Sequence, residues 1–189
     1  MKRGSQRNSG LLMSLMAIVS TVWMVLGAHA QSAFELKWEF KAPENLGTPA
    51  IGTNGVVVVA TEKTLYALDG QTGGVNWSFQ IDGTATSSPS IAEDGTVYIT
   101  SLSSADWESK AVVAAIDGKA GVQKWANEQI ENGISAGPNI IIAPDGGIYL
   151  VTSLHTLNGP RRWVTKLNGH TGVSEFWDPI QDLAFLAID

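Results

Sequence analysis

The 189-residue chain carries 12 Lys and Arg against 18 Asp and Glu, a formal net charge of −6, and no cysteine at all. That sign of charge disfavours nucleic acid and anionic membrane as partners. The missing thiols exclude disulfides and a lipid-modified cysteine at the amino terminus, so the fold must rest on its core.

Residues 1–30 read as a secretory signal peptide. Lys2, Arg3 and Arg7 precede an apolar run from Leu11 to Leu26, and Ala28-His29-Ala30 puts small residues at the two cleavage-reading positions before Gln31. The alternative is a retained anchor, because Gly10 to Ala30 is close to the roughly 20 residues that span a bilayer. Ser14, Ser20, Thr21 and the Ala-x-Ala ending favour cleavage. The mature chain is then periplasmic or secreted, with no membrane insertion, and its nine remaining Lys and Arg against 18 acidic residues give a net charge of −9.

The first strand signal, Phe34 to Phe40, alternates apolar and polar residues and carries Trp38; it is expected as an outermost strand. Two phrases then recur. Thr48-Pro49-Ala50-Ile51 leads through Asn54-Gly55 to Val56–Val59, Ser88-Pro89-Ser90-Ile91 through Asp94-Gly95 to Thr96–Ile99, and Gly137-Pro138-Asn139-Ile140 through Asp145-Gly146 to Gly147–Leu150. Small residue, Pro, short strand, Asx-Gly turn and β-branched strand describe a hairpin. The second phrase follows each hairpin: an apolar run ends at Asp69, Asp117 or Asn168, glycine follows at Gly73, Gly121 or Gly172, and the segment closes on Trp77, Trp125 or Trp177. This reads as strand, tight turn, strand, with the Asx side chain bonding the turn backbone and glycine taking positive φ. In the third copy Trp177 lies nine residues after the Asx instead of eight, which suggests a bulge there.

Each unit therefore supplies four strands, and the units run 38–77, 77–125 and 125–177, or 39, 48 and 52 residues. Four short strands in a unit of roughly 40 to 50 residues mark a β-propeller blade of an all-β fold. The Ala/Thr-x-Asp/Asn-x-x-x-Gly-x-x-x-Trp spacing resembles the tryptophan-docking motif of the pyrroloquinoline-quinone (PQQ)-type propellers over residues 34–189. Gly169-His170 and Trp177-Asp178 imitate WD-repeat marks, but in a WD blade these dipeptides bracket most of the unit, and here only a few residues separate them. The resemblance implies four-stranded antiparallel blades, about three of a total of seven or eight, with each Trp packed on the turn of an adjacent blade. Residues 178–189 parallel the start of a further blade, so the chain is expected to be the front part of a longer propeller whose open sheets are covered by the missing blades or by self-association.

No residue is assigned as catalytic, cofactor-binding or metal-ligating. Asp69, Asp117 and Asn168 are explained by their turns; Asn54, Asp94 and Asp145 lack the Asp-x-Asp-x-Asp density of a calcium loop; His155 and His170 have no Cys or carboxylate at metal spacing. Asn76-Trp77-Ser78 fits a glycosylation sequon but lies on an expected strand. The copies differ most between their second and third strands, where Thr61–Thr64 in the first is replaced by Ser101–Lys110 in the second and Ser153–Arg162 in the third. Insertions on one face of a repeat protein often mark its binding face, which makes Trp107, His155, Arg161 and Arg162 candidate loop contacts, the bland alternative being simple loop drift.

Three functions are compatible with the resemblance. An exported, non-catalytic scaffold binding a protein or polysaccharide would resemble the propeller that assists outer-membrane β-barrel assembly, although that factor is a lipoprotein and this chain has no cysteine to lipidate. The amino-terminal part of a PQQ-dependent alcohol or sugar dehydrogenase would hold PQQ with Ca²⁺ on the propeller axis. A sensing ectodomain would need the amino-terminal segment kept as an anchor or a spanning helix after Asp189.

Overall fold

A computed structural model describes residues 35–103, 110–128, 135–156 and 159–180. The expected signal peptide, Trp107 and residues 181–189 lie outside the described residues. The chain divides into two units, Met1–Leu36 and Lys37–Asp189; the described Glu35 and Leu36 of the first are exposed coil, and the strands among the described residues belong to the second.

The described residues of the second unit form strands joined by turns and coil, with no helix. The first sheet contains β1 (Ala50–Ile51), β2 (Val56–Ala60), β3 (Thr64–Asp69) and β4 (Val75–Gln80), in the order β1-β2-β3-β4. The second contains β5 (Thr84–Ala85), β6 (Ser90–Ile91), β7 (Val97–Leu102), β8 (Ala111–Ile116) and β9 (Gln123–Asn127), with β5 and β6 both paired to β7 and then β8 and β9 in order. The third is β10 (Ser135–Ile142), β11 (Gly147–Thr156), β12 (Gly159–Asn168) and β13 (Ser174–Ile180), again in chain order. All pairings are antiparallel. This is the all-β blade architecture that the repeat implies.

Proline explains how the inner strand of each sheet is built. Pro lacks the N–H that a ladder needs. Pro49 accordingly stands just ahead of β1, Ser88-Pro89 lies in the gap between β5 and β6, and the β10–β11 ladder slips register between Ala136 and Ile140, around Pro138.

Four expectations differ from the structure. Residues 35–40 form no strand, because no neighbour among the described residues offers them a ladder; Trp38 and Phe40 nevertheless keep their alternation, both half-buried between exposed neighbours. The bulge is not special to the third copy. It recurs in all three, where Ala67↔Trp77 is followed by Leu68↔Val75, Ala115↔Trp125 by Ile116↔Gln123, and Lys166↔Phe176 by Leu167↔Ser174. The extra residue of the third copy instead moves Trp177 opposite Thr165, so that Phe176 holds the register of Trp77 and Trp125. Finally, Ser153–Arg162 is largely not a loop: the strands continue through Ser153↔Arg162 and Leu154↔Arg161 to His155↔Pro160 and Thr156↔Gly159. The fourth strand of this sheet runs to Ile180.

The core lies between sheets. Val58, Leu65 and Ala67 of the first meet Val97, Ile99 and Ile116 of the second; Tyr98, Val113 and Ala115 of the second meet Ile148, Leu150 and Leu167 of the third. Successive β7 residues thus serve opposite joints, which is why Val97–Ser101 is buried throughout, as in any strand covered on both faces.

Candidate functional site

One end of the sheets gathers the Asx turns. Asp69 Oδ1 accepts the backbone N–H of Gln71 and Thr72, both at 2.8 Å, and the Thr72 hydroxyl at 3.1 Å. Asp117 Oδ1 accepts from the N–H of Lys119 at 2.9 Å and Ala120 at 2.8 Å. Asn168 Oδ1 accepts from His170 at 3.0 Å and Thr171 at 3.1 Å, and its Nδ2 donates to Glu175 Oε1 at 2.9 Å. Backbone donors hold both Asp carboxyls below the usual carboxylate range, led by the Thr72 N–H for Asp69 and the Ala120 N–H for Asp117. The three Asx side chains are thus committed to turn geometry.

The tryptophans dock on these turns. Trp38 Nε1 donates to Gly70 O at 3.0 Å, Trp77 Nε1 to Gly118 O at 2.8 Å, and Trp125 Nε1 to Gly169 O at 2.9 Å. Each indole lies on the glycine that ends the turn: a Cβ on Gly121, whose φ is +69°, would sit 2.6 Å from Trp77 Cγ. The indole plane and the positive φ together leave only glycine there. The second glycine requirement is a close approach, because a Cβ on Gly118 would fall 2.0 Å from Gly95 O of the adjoining hairpin turn.

Between the first and second sheets this end opens into a groove of about 770 Å³. Apolar Val58 and Trp77 line it, together with polar Asn54, Asp94, Asp117 and Lys124. Lys124 Nζ donates to Thr96 Oγ1 at 2.8 Å and stands 3.8 Å from Asp94 Oδ2. Asp94 accepts the Thr96 N–H, which with the Thr96 hydroxyl and Lys124 lowers its pKa against the effect of partial burial. Sequence reasoning missed Val58 and Lys124; the signal available was that Val58 and Tyr98 differ between otherwise similar copies.

At the opposite end the three sheets differ in reach. Thr61–Lys63 joins β2 to β3, residues 103–110 join β7 to β8, and the β11–β12 hairpin extends to Thr156 and Gly159. Relative to Ala60↔Leu65 in the first sheet, the third hairpin adds several paired residues per strand, each worth about 3.3 Å of length. Of the candidate contacts, His155 and Arg161 fall on this extension and Arg162 at its root is exposed; the structure therefore places these three on one hairpin.

A quinone with its metal ion would require a gathering of acidic or histidine donors. Among the described residues no three His, Cys, Asp or Glu side chains come together to hold an ion. Asp69, Asp94, Asp117 and Asp145 are bound to turn N–H groups at the turn end. The described donor set does not fit that group.

Residues 20–185 match the family described as outer membrane protein assembly factor BamB, within the PQQ-type propellers. The chain belongs to that family. No curated protein matches the sequence. Among solved structures, a quinohemoprotein alcohol dehydrogenase (ADHIIG) from Pseudomonas putida HK5 is similar at 18% identity and a TM-score of 0.57, over 77% of this chain and 22% of that one. A europium-containing methanol dehydrogenase is similar at 16% identity and a TM-score of 0.51, over 78% of this chain and 27% of that one. At such identities the likeness is one of fold, and the chain spans about a quarter of those enzymes' length. Among the described residues no helix is long and apolar enough to cross a membrane.

Proposed function

We infer that the chain is an exported, non-catalytic PQQ-like propeller scaffold that binds a protein or polysaccharide through the end of its sheets opposite the Asx turns. One observation carries this reading: the motif residues at the turn end are occupied in holding the fold, whereas the opposite end changes from a three-residue link in the first sheet to an extended hairpin in the third. Side chains at the tips of a rigid repeat scaffold are free to vary for recognition. His155, Arg161 and Arg162, and by sequence Trp107, are the proposed contacts; two arginines on an acidic chain suit a ligand with acidic groups. On this reading residues 1–30 are removed on export, and the open sheet faces are covered by further blades or a second copy.

The test replaces Ser153–Arg162 with the short Thr61–Thr64 connection and compares capture of partners by crosslinking in an extract of the source cells. The shortened protein should keep its β-sheet circular dichroism and lose the crosslinked species; unchanged crosslinking would defeat the proposal. Addition of PQQ and Ca²⁺ to the same samples separates the dehydrogenase reading, which demands quinone absorbance that stays with the protein through gel filtration. Mass spectrometry of the exported product should find a chain beginning at Gln31.

A further inference from the structure

The groove between the first and second sheets has an internal counterpart that is filled. Val58 and Tyr98 occupy equivalent registers, paired with Ala67 and Ala115 two residues ahead of the turn Asx. In the joint between the second and third sheets the Tyr98 ring is buried, lies 5.9 Å from the Trp125 ring, and donates its hydroxyl to Gly169 O at 3.1 Å, so that this carbonyl accepts two bonds. In the preceding joint Val58 ends short of the turn, and among the described residues Gly118 O accepts only the Trp77 Nε1. Val58, Trp77 and Gly118 all line the groove. The chain therefore contains, one joint along, the group that completes this arrangement: a phenol ring seated beside a docking Trp with its hydroxyl on the turn carbonyl.

We propose that this groove is a binding site for a tyrosine side chain presented by a partner polypeptide. The ring would take the place that Tyr98 takes in the next joint, and its hydroxyl would donate to Gly118 O, whose second acceptor position is available. A polypeptide rather than a free phenol is indicated by size and lining. A volume of about 770 Å³ lies in the range that holds a drug-sized or short peptide ligand, roughly 300–1,000 Å³, and Asn54, Asp94, Asp117 and Lys124 supply donors and acceptors of both signs for a peptide backbone.

The probe is the pentapeptide Gly-Gly-Tyr-Gly-Gly, titrated into the full chain while the Trp77 indole N–H and the Gly118 and Lys119 amides are followed by NMR. Saturable shifts at these three groups are expected, about five-fold weaker binding for the phenylalanine counterpart, the loss expected for one hydrogen bond, and weaker binding still for p-cresol. Val58→Tyr should fill the groove and abolish the shifts. Tyr98→Val should open the second joint and add a saturable set at Trp125 and Gly169, which keeps the proposal testable should Val58→Tyr fail to fold. Absence of saturation at millimolar peptide, or binding undiminished in Val58→Tyr, overturns the site; equal affinity for the phenylalanine peptide overturns the phenol, and equal affinity for p-cresol overturns the polypeptide occupant.

Discussion

The second and third sheets share a strand order and a bulge position, yet the faces they carry in the docking register are chemically unlike. The second aligns Tyr98, Ala115 and Trp125; the third has Tyr149, Lys166 and Phe176 in the same places. Ala115 is fully buried, and its lack of a long side chain lets Tyr98 and Trp125 approach each other and the next turn. Lys166 at the same register keeps a side chain that is 21% exposed, with Nζ 2.9 Å from Asp145 Oδ2 and 3.3 Å from Glu175 Oε2 and over the Tyr149 ring. Those two carboxylates push its pKa upward, Asp145 first, and Lys166 in turn lowers that of Asp145. The backbone plan of a blade thus repeats, while the chemistry of the joint is chosen sheet by sheet.

Exchanging these registers gives the largest expected effect. Ala115→Lys forces a long side chain and its ammonium into a joint filled by Tyr98 and Trp125, where Asp94, the counterpart of Asp145, is already bonded to Thr96 and stands beside Lys124; a buried charge left without a free partner costs about 3–5 kcal/mol. The variant should unfold at far lower urea or fail to fold. The reciprocal Lys166→Ala removes two ion pairs whose carboxylates keep contact with water, so that each contributes little, and should lower the urea midpoint far less. Comparable losses from the two exchanges would dissolve the distinction between the faces.

Trp125→Ala comes next. It removes a half-buried indole, its bond to Gly169 O and its contact with Tyr98; truncation of a core Trp costs about 3–5 kcal/mol, and partial exposure puts this one near the lower bound. The same change at Trp77 should cost less than at Trp125, because Val58 makes no bond across the joint and Trp77 already faces the groove. Denaturation of both variants under one set of conditions checks the order.

Gly121→Ala tests the turn itself. A non-glycine residue at φ +69° costs about 1–2 kcal/mol, and the new Cβ at 2.6 Å from Trp77 Cγ forces the indole to shift. Besides a lowered midpoint, the variant should show an altered Trp77 indole N–H resonance. Gly95→Ala, with a similar φ of +84° but nothing within 4 Å of its Cβ, should lower stability by the backbone cost alone and leave that resonance in place.

Much of this was legible in the amino-acid order because the repeat puts each Asx, Gly and Trp at fixed spacing, and those residue types are demanded by local geometry: an acceptor for two turn N–H groups, a positive φ, a flat ring. The first sheet's Asp69, Gly73 and Trp77 could be read without any knowledge of neighbours. Trp177 could not, since its spacing differs by one and only the ladder reveals that Phe176 holds the docking register. The continuation of β11 and β12 through His155 and Arg161 was hidden because Pro160 and two arginines carry no alternating apolar signal. The groove was hidden more deeply. It follows from one difference, Val58 against Tyr98, whose meaning appears only when Gly169 O is seen to receive the phenol.

The smallest effect separates the turns by charge. Asp69 and Asp117 close the first two turns as carboxylates, and Asn168 closes the third with the same two backbone bonds and no charge. Both Asp values are lowered from 3.8 by turn N–H donors, so the folded state binds fewer protons than the unfolded one near that pH. Their contribution is complete above about 3.8 and is lost as pH falls through the lowered values. In the double variant Asp69→Asn and Asp117→Asn every motif turn would resemble the third. At pH 7 its urea midpoint should lie slightly below or level with that of the original chain, since Asn offers the same acceptor without the charge-assisted bond. Below pH 3.8 the original should lose stability more steeply, and the two curves should converge. Asp94, Asp145 and Glu175 are lowered as well and remain in the variant, so some acid sensitivity persists. Parallel curves across the whole range would mean that the Asx turns hold by geometry alone.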